Sequence, residues 1–219
     1  MLPELAQDPD DRVRAAHHQI GNSLQSVASM LRLHGRTAPP EAAGALFEAS
    51  RRVSVITRLH QRLQARDAPE VCLADLLGDV CRDVAELDAV DRDAEVRVDI
   101  QPVSVSPGVA SAMAIITAEL LGNALEHGLR DRSGVVTVTF QVSDGRAHLQ
   151  VIDDGPGAPG GAFQEGFGLS LVMKMAARIG ASMERHSSAA GTRFDIRVSV
   201  PARRLSSGDA VMRTLEGLR

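Results

Sequence analysis

Apolar residues recur at Val13, Ile20, Leu24, Val27 and Leu31, and steps of seven, four, three and four keep them on one face of a helix. The helix-start residues Asp8, Pro9, Asp10 and Asp11 stand before this stripe, and Gly35 follows His34 as a stop signal. Pro39-Pro40 then interrupts the pattern, and a second stripe runs Leu46, Ala49, Val53, Ile56, His60 and Leu63 at alternating spacings of three and four. Two amphipathic helices joined by a short Pro-containing turn predict an antiparallel hairpin. Two helices alone bury little, so a four-helix core made by two copies would complete it.

The character changes at Arg66-Asp67-Ala68-Pro69. A third helical stretch carries Leu73, Leu76, Leu77, Val80, Val84 and Leu87, and residues 95–100 alternate like a half-buried strand. Pro107-Gly108 opens another helix, from about Val109 to Gly128, with Met113, Ile116, Leu120 and Ala124 turned inward. Strands are predicted at Val135–Val142 and Ala147–Ile152 around the turn Ser143-Asp144-Gly145-Arg146. After a Gly-rich stretch from Asp153 to Gly168 come a helix at Leu169–Ile179 and strands at Ser182–His186 and Thr192–Val200. The fold class read from this order is α+β: an N-terminal helical hairpin over residues 8–66, then an α/β sandwich over 70–202. Residues 203–219 hold a weak helical pattern (Val211, Leu215, Leu218) and read as a loosely docked tail.

Composition narrows the function classes. The 219 residues are 44% hydrophobic and 24% charged, the balance of a globular chain rather than a disordered one. Net charge is −4 and five Phe are the only aromatics, so neither a basic face nor stacking rings recommend nucleic acid as a partner. Cys72 and Cys81 fall nine apart within one helix-like stretch, too far to bridge. No run of about 18 apolar residues and no charged-then-apolar leader is visible, so the expectation is a cytoplasmic protein without membrane insertion.

Candidate chemistry concentrates in the second half. Asp153-Asp154-Gly155-Pro156-Gly157 and Gly166-Phe167-Gly168 supply glycines that permit close backbone approach, and the second set opens a helix whose unpaired N–H groups suit a phosphate chain. An ordinary surface loop has the same composition. On a separate helix, Glu119, Asn123 and His127 are spaced by four and share a face. An amide oxygen there suits Mg²⁺, which takes oxygen ligands, although a solvated polar face has the same spacing.

The order of these pieces resembles a known fold. Glu-x-x-x-Asn, two strands ending in Asp-x-Gly-x-Gly, Gly-x-Gly-Leu into a helix and Gly-Thr before a strand resemble the Bergerat (GHKL) ATP-binding fold of gyrases, Hsp90-type chaperones, MutL and histidine kinases. The resemblance implies that Asn123 holds Mg²⁺, that Asp153 accepts from the adenine amino group, and that Gly155 and Gly157 line the base pocket. It further implies that Gly166, Gly168 and Leu169 bracket the phosphates of ATP at the end of a lid, with Thr192 by the adenine and Glu119 and His127 beside Asn123.

No pair among the seven histidines has metal-ligand spacing. His17 and His60 fall on the apolar stripes as seam residues, whereas His18 is about 100° off the stripe, where its ring nitrogen can attack phosphorus. The segment His17-His18-Gln19-Ile20-Gly21-Asn22-Ser23-Leu24-Gln25 resembles the phosphoacceptor and dimerisation helix of HisKA_2/HWE-type bacterial sensor histidine kinases, and residues 52–63 look like its second helix. The resemblance runs from about residue 10 to 201. It implies an ATP-dependent protein-histidine kinase that phosphorylates His18 and passes the phosphoryl group to an aspartate of a response-regulator receiver domain. It also implies a homodimer through the hairpin, with input from a separate sensor protein.

This chain departs from the family pattern at four places. Ala15 replaces an acid, Gln19 and Gly21 replace Arg and Lys, and Glu126 replaces the usual Lys of the Asn123 helix. Each removes a charge available to orient the histidine or neutralise phosphate, and Arg130 or Lys174 could compensate. These departures favour an alternative, a histidine phosphotransferase or adaptor with a weak or vestigial ATP site. A second alternative is an anti-sigma-factor-type serine kinase, which uses the same ATP fold and lacks such a hairpin.

Overall fold

The computed structural model describes residues 9–64, 70–88, 94–129, 132–157, 166–200 and 213–214, with side chains outside the description at 9–14, 16–18, 58–64, 87–88 and 213–214. The chain divides into two compact units, Met1–Asp67 and Ala68–Arg219.

The first unit is a hairpin of α1 (Pro9–Thr37) and α2 (Pro40–Gln64). The helix α1 continues through Gly35, where a stop was expected. A Cβ at Gly35 would lie 3.0 Å from the Phe47 ring, so this glycine makes room for a neighbouring side chain rather than ending the helix. Termination falls to Pro39-Pro40, since the residue before a proline is pushed out of helical geometry.

Among the described side chains, the face that α1 buries is only partly its apolar stripe. The buried positions among those side chains of α1 are Gly21, Ala28 and Gly35, seven apart. On α2 they include Ser50 and Thr57, again seven apart. The Ser50 hydroxyl donates to the Ala28 carbonyl at 2.8 Å, and the antiparallel register it sets brings Gly21 opposite Thr57. Small residues let the backbones approach closely, which leaves Ile20 (47% exposed), Val27 (45%) and Ile56 (42%) outside, with Met30, Leu33 and Phe47 beside them. Leu24, Leu31, Leu46, Ala49 and Val53 are only half-buried. The remaining stripe positions Val13, His60 and Leu63 lie outside the described side chains.

The second unit is a two-layer sandwich. Its elements are β1 (Val71–Cys72), α3 (Leu73–Asp88), β2 (Ala94–Ile100), β3 (Ser104–Val105), α4 (Pro107–Asn123), a π turn (Ala124–Gly128), β4 (Gly134–Ser143), β5 (Arg146–Asp153), α5 (Phe167–Arg178), β6 (Ser182–Ser188), β7 (Gly191–Ser199) and β8 (Arg213–Thr214). The main sheet runs β6-β7-β5-β4-β2-β8, and β1 pairs with β3 apart from it. Among the described strands only β2 and β4 pair in parallel, with α4 in the crossover between them. Alternation places Val136, Val138, Phe140, Leu149, Val151, Phe194 and Ile196 in the core with the helices, while Thr139, Gln150 and Arg193 fall on the other face. The β4–β5 turn is a two-residue connection with Asp144 at φ 51° and Gly145 at φ 73°, as a tight hairpin requires.

Three expectations need correction. Cys72 lies in β1 and Cys81 in α3, so they do not share a helix, and both are free. Burial pushes the Cys81 thiol up to about 12, which makes it an unreactive core group. Arg213–Thr214 of the tail is extended, not helical, and pairs with Arg97 and Val98. The edge of β2 offers unpaired backbone groups that such a segment satisfies; Val211, Leu215 and Leu218 lie outside the described residues. Finally, Pro107–Gly128 is long and apolar enough to cross a membrane, although no such run was read from the sequence. Its most apolar window is 72% buried against the unit's own core, so it reads as an internal helix, apolar nearly all round.

Candidate functional site

Period-two alternation puts Asp153 on the core-facing row of β5, at the strand's last position. It is 4% exposed. Its Oδ1 accepts from the backbone N–H of Gly155 at 3.0 Å, an Asx turn, and from that of Thr192 at 3.2 Å. Burial pushes the carboxyl above the usual carboxylate range; the two N–H groups pull the other way without cancelling it, and the neighbouring Asp154 adds to the rise.

Around this carboxyl three stretches of backbone come into contact. A Cβ on Gly128, the last residue of the π turn, would lie 2.8 Å from the Asp153 carboxyl carbon. One on Gly155 would fall 1.9 Å from the Gly128 carbonyl oxygen. One on Gly157, at φ +63°, would fall 2.0 Å from the Ser188 carbonyl oxygen, and one on Gly191, at φ +124°, 1.9 Å from that of Asp153. Glycine is therefore required at each of these positions by close approach. A cavity of about 730 Å³ opens here, lined among others by Ile152, Asp153, Ser187, Gly191 and Thr192. Thr192 is buried beside Asp153, with its Oγ1 3.2 Å from the Ser187 Oγ.

The helix α4 brings in the other constellation. Glu119 is 2% exposed, Asn123 is half-buried and His127 is exposed, so the three pass from core to solvent along the helix. After Asn123 the helix widens, with Leu129 N–H donating to the Ala124 carbonyl at 2.9 Å, and this π turn presents Gly128 to Asp153. A carboxylate and an amide are oxygen donors of the kind Mg²⁺ takes, and the donor set fits that ion. Gly166 caps the start of α5 with open space where a side chain would go, and Gly168 and Leu169 are buried in its first turn. Residues 158–165, which the lid reading needs, and Arg130 lie outside the described residues. So do the side chains of His17, His18 and His60, although His18 belongs to α1.

Sequence reasoning missed several participants. Gly128 and Gly134 each stand where a Cβ would collide, and their only signal was being glycine next to a strand or helix end; Gly191, which belongs to the Gly-Thr piece read from the sequence, stands in the same kind of close contact. Asp154 Oδ1 accepts from Val135 N–H at 2.9 Å and holds the start of β4 to the end of β5. On the sheet's other face the buried Asp195 accepts from His148 and Gln150, both at 2.8 Å, and from Arg193 at 2.9 Å. Burial pushes its carboxyl up, but the Gln150 and His148 hydrogen bonds and the Arg193 charge outweigh that and hold it below the usual range.

Residues 108–203 match the family model of the histidine kinase-, DNA gyrase B- and HSP90-like ATPases (HATPase_c), and residues 16–88 match the HisKA_2 histidine kinase model. The second match crosses the boundary between the two units and takes in α3. The sensor histidine kinase PdtaS of Mycolicibacterium smegmatis is 32% identical over 212 residues, covering 91% of this chain and 41% of the relative. PdtaS of Mycobacterium tuberculosis is 30% identical over 202 residues, covering 89% and 40%. This chain thus spans about two fifths of the length of these relatives. Among solved structures, the blue-light activated histidine kinase EL346 of Erythrobacter litoralis is 27% identical with a TM-score of 0.65, covering 91% of this chain and 62% of that one. Its histidine kinase domain alone is 22% identical with a TM-score of 0.64, covering 81% and 95%.

Proposed function

We infer, from the premise that the chain belongs to the histidine kinase family built of a HisKA_2 and a HATPase_c module, that it is an ATP-dependent protein-histidine kinase of two-component signalling. The observation that carries this reading is the buried Asp153 carboxyl in its cradle of contact glycines. In the proposed site Asp153 accepts from the adenine amino group, Gly155 and Gly157 flank the base, and Thr192 stands beside it. The phosphates run toward Gly166, Gly168 and Leu169 at the N-terminus of α5, where backbone N–H groups point outward. Asn123 would hold Mg²⁺, which when bound neutralises phosphate charge.

In the proposed reaction a ring nitrogen of neutral His18 attacks the γ-phosphorus. The bond to the β–γ bridging oxygen breaks, ADP leaves with the electron pair, and the other ring N–H gives up its proton to solvent. The phosphoryl group then passes to an aspartate carboxylate of a receiver domain, which restores the free imidazole. The exposed residues Ile20, Val27, Met30, Leu33, Phe47 and Ile56 support a homodimer through the hairpin. The cytoplasm, where ATP and receiver domains are found, is the proposed location.

One observation favours the phosphotransferase or adaptor reading as a second. Gly21 is buried in register with Ala28 and Gly35, so this hairpin lacks the cation that the family pattern carries there.

Incubation with γ-labelled ATP and Mg²⁺ separates the two. Acid-labile label that is lost in His18→Ala and Asn123→Ala and kept in His17→Ala supports the kinase. Nucleotide binding with no label until a phosphorylated receiver is added supports the adaptor, and acid-stable label refutes both.

A further inference from the structure

Ser187 on β6 lies outside every motif discussed above, yet it touches two residues of the proposed base pocket. Its Oγ is 3.2 Å from Thr192 Oγ1, across the β6–β7 pair in which the two residues stand directly opposite. A Cβ on Gly157 would meet the same Ser187 Oγ at 3.0 Å, so the serine sits against the turn that follows Asp153. Both residues line the cavity that Asp153 lines. Thr192 is thus held at two points on the core-facing side of the sheet, by Asp153 at its N–H and by Ser187 at its hydroxyl.

We propose that Ser187 is a positioning residue that sets the hydrogen-bond polarity of Thr192 and thereby helps the pocket select adenine over guanine. The proposal rests on the nucleotide reading given above. A hydroxyl has one proton and two lone pairs, so its partner decides what it offers elsewhere. When Ser187 donates to Thr192 Oγ1, the Thr192 proton is left to point at the base. Adenine presents an amino donor next to the ring acceptor N1, which complements an accepting Asp153 beside a donating Thr192. Guanine presents an oxygen and a ring N–H at the same places and mismatches both. Without the Ser187 hydroxyl, Thr192 turns freely and half of that discrimination goes.

The test is calorimetric titration of the full chain with ATP and with GTP, each with Mg²⁺, for wild type, Ser187→Ala and Ser187→Thr. Thermal unfolding of each variant verifies the fold. Ser187→Ala is expected to weaken ATP binding about three- to tenfold, the value of one hydrogen bond, with little change for GTP. Ser187→Thr, which restores a hydroxyl, is expected to recover the ATP-to-GTP ratio. An equal loss for both nucleotides, no loss in Ser187→Ala, or no recovery in Ser187→Thr overturns the proposal while leaving the nucleotide site standing. Absence of ATP binding in the wild type overturns the site itself.

Discussion

The carbonyl oxygen of Gly128 occupies the place where a side chain on Gly155 would begin, 1.9 Å from an ideal Cβ. The end of α4 and the turn after β5 are thus in backbone contact, and neither side can yield by rotating a side chain. Gly155→Ala is expected to lower stability by about 2 kcal/mol, in the range for overpacking, and to abolish nucleotide binding. Gly166→Ala is the control for the fold, because nothing lies within 4 Å of the added carbon. Its midpoint of urea unfolding should stay near wild type, and a similar drop for both variants would refute the contact argument.

Asp153 and Asp195 should respond to pH in opposite senses. The Asp153 carboxyl titrates above its ordinary value, so between the unfolded and folded values the native state holds more protons. Its contribution is therefore complete below the unfolded value and is lost as pH rises through the folded one. Asp195, held low, contributes above the unfolded value and loses that contribution as pH falls through its folded one. Asp153→Asn, whose amide oxygen still accepts from Gly155 and Thr192, should be at least as stable as wild type at neutral pH, with the advantage fading on acidification. Denaturant titrations of both chains between about pH 4 and pH 8 measure that difference. A variant that loses stability at neutral pH contradicts the burial cost assigned to this carboxyl.

Much of the sandwich could be read from the chain because strand alternation and turn residues are local signals. Asp144-Gly145 needs positive φ at both positions, and those residue types supply it. Asp153 was recognisable by its place in Asp-x-Gly-x-Gly. What escaped were relationships between segments distant in sequence: Gly128 against Gly155, Gly191 against Asp153, Ser187 against Thr192. A glycine's need for space is invisible until the opposing backbone is known. The hairpin shows the same limit, since the apolar periodicity of α1 is real and yet a row of small residues is what it buries.

That seam has a testable pin. Ser50 is 2% exposed and its hydroxyl reaches the Ala28 carbonyl of the other helix. Ser50→Ala removes one interhelical hydrogen bond and should cost roughly 1 kcal/mol of stability. Ile20→Glu with Val27→Glu alters only exposed positions, so it should keep the helix content while shifting the chain toward monomer in sedimentation. Unchanged sedimentation in a chain that is dimeric as wild type would remove the apolar stripe from the interface.

Thr117 is fully buried in the middle of α4, and its Oγ1 has no hydrogen-bond partner among the described residues. Thr57 shows the usual solution, with its hydroxyl donating to the Val53 carbonyl one turn back at 2.7 Å. A buried hydroxyl without a partner forfeits its hydration and receives nothing in return. Thr117→Val keeps the shape and removes the polar atom, so it should raise stability by about 1 kcal/mol. Thr117→Ser keeps the polar atom and deletes a methyl group from a packed site, so it should lower stability by a similar amount. Since the two changes pull apart only if the hydroxyl is unsatisfied, urea unfolding of the pair decides the matter: a destabilised valine variant would mean that the oxygen has a partner in solution.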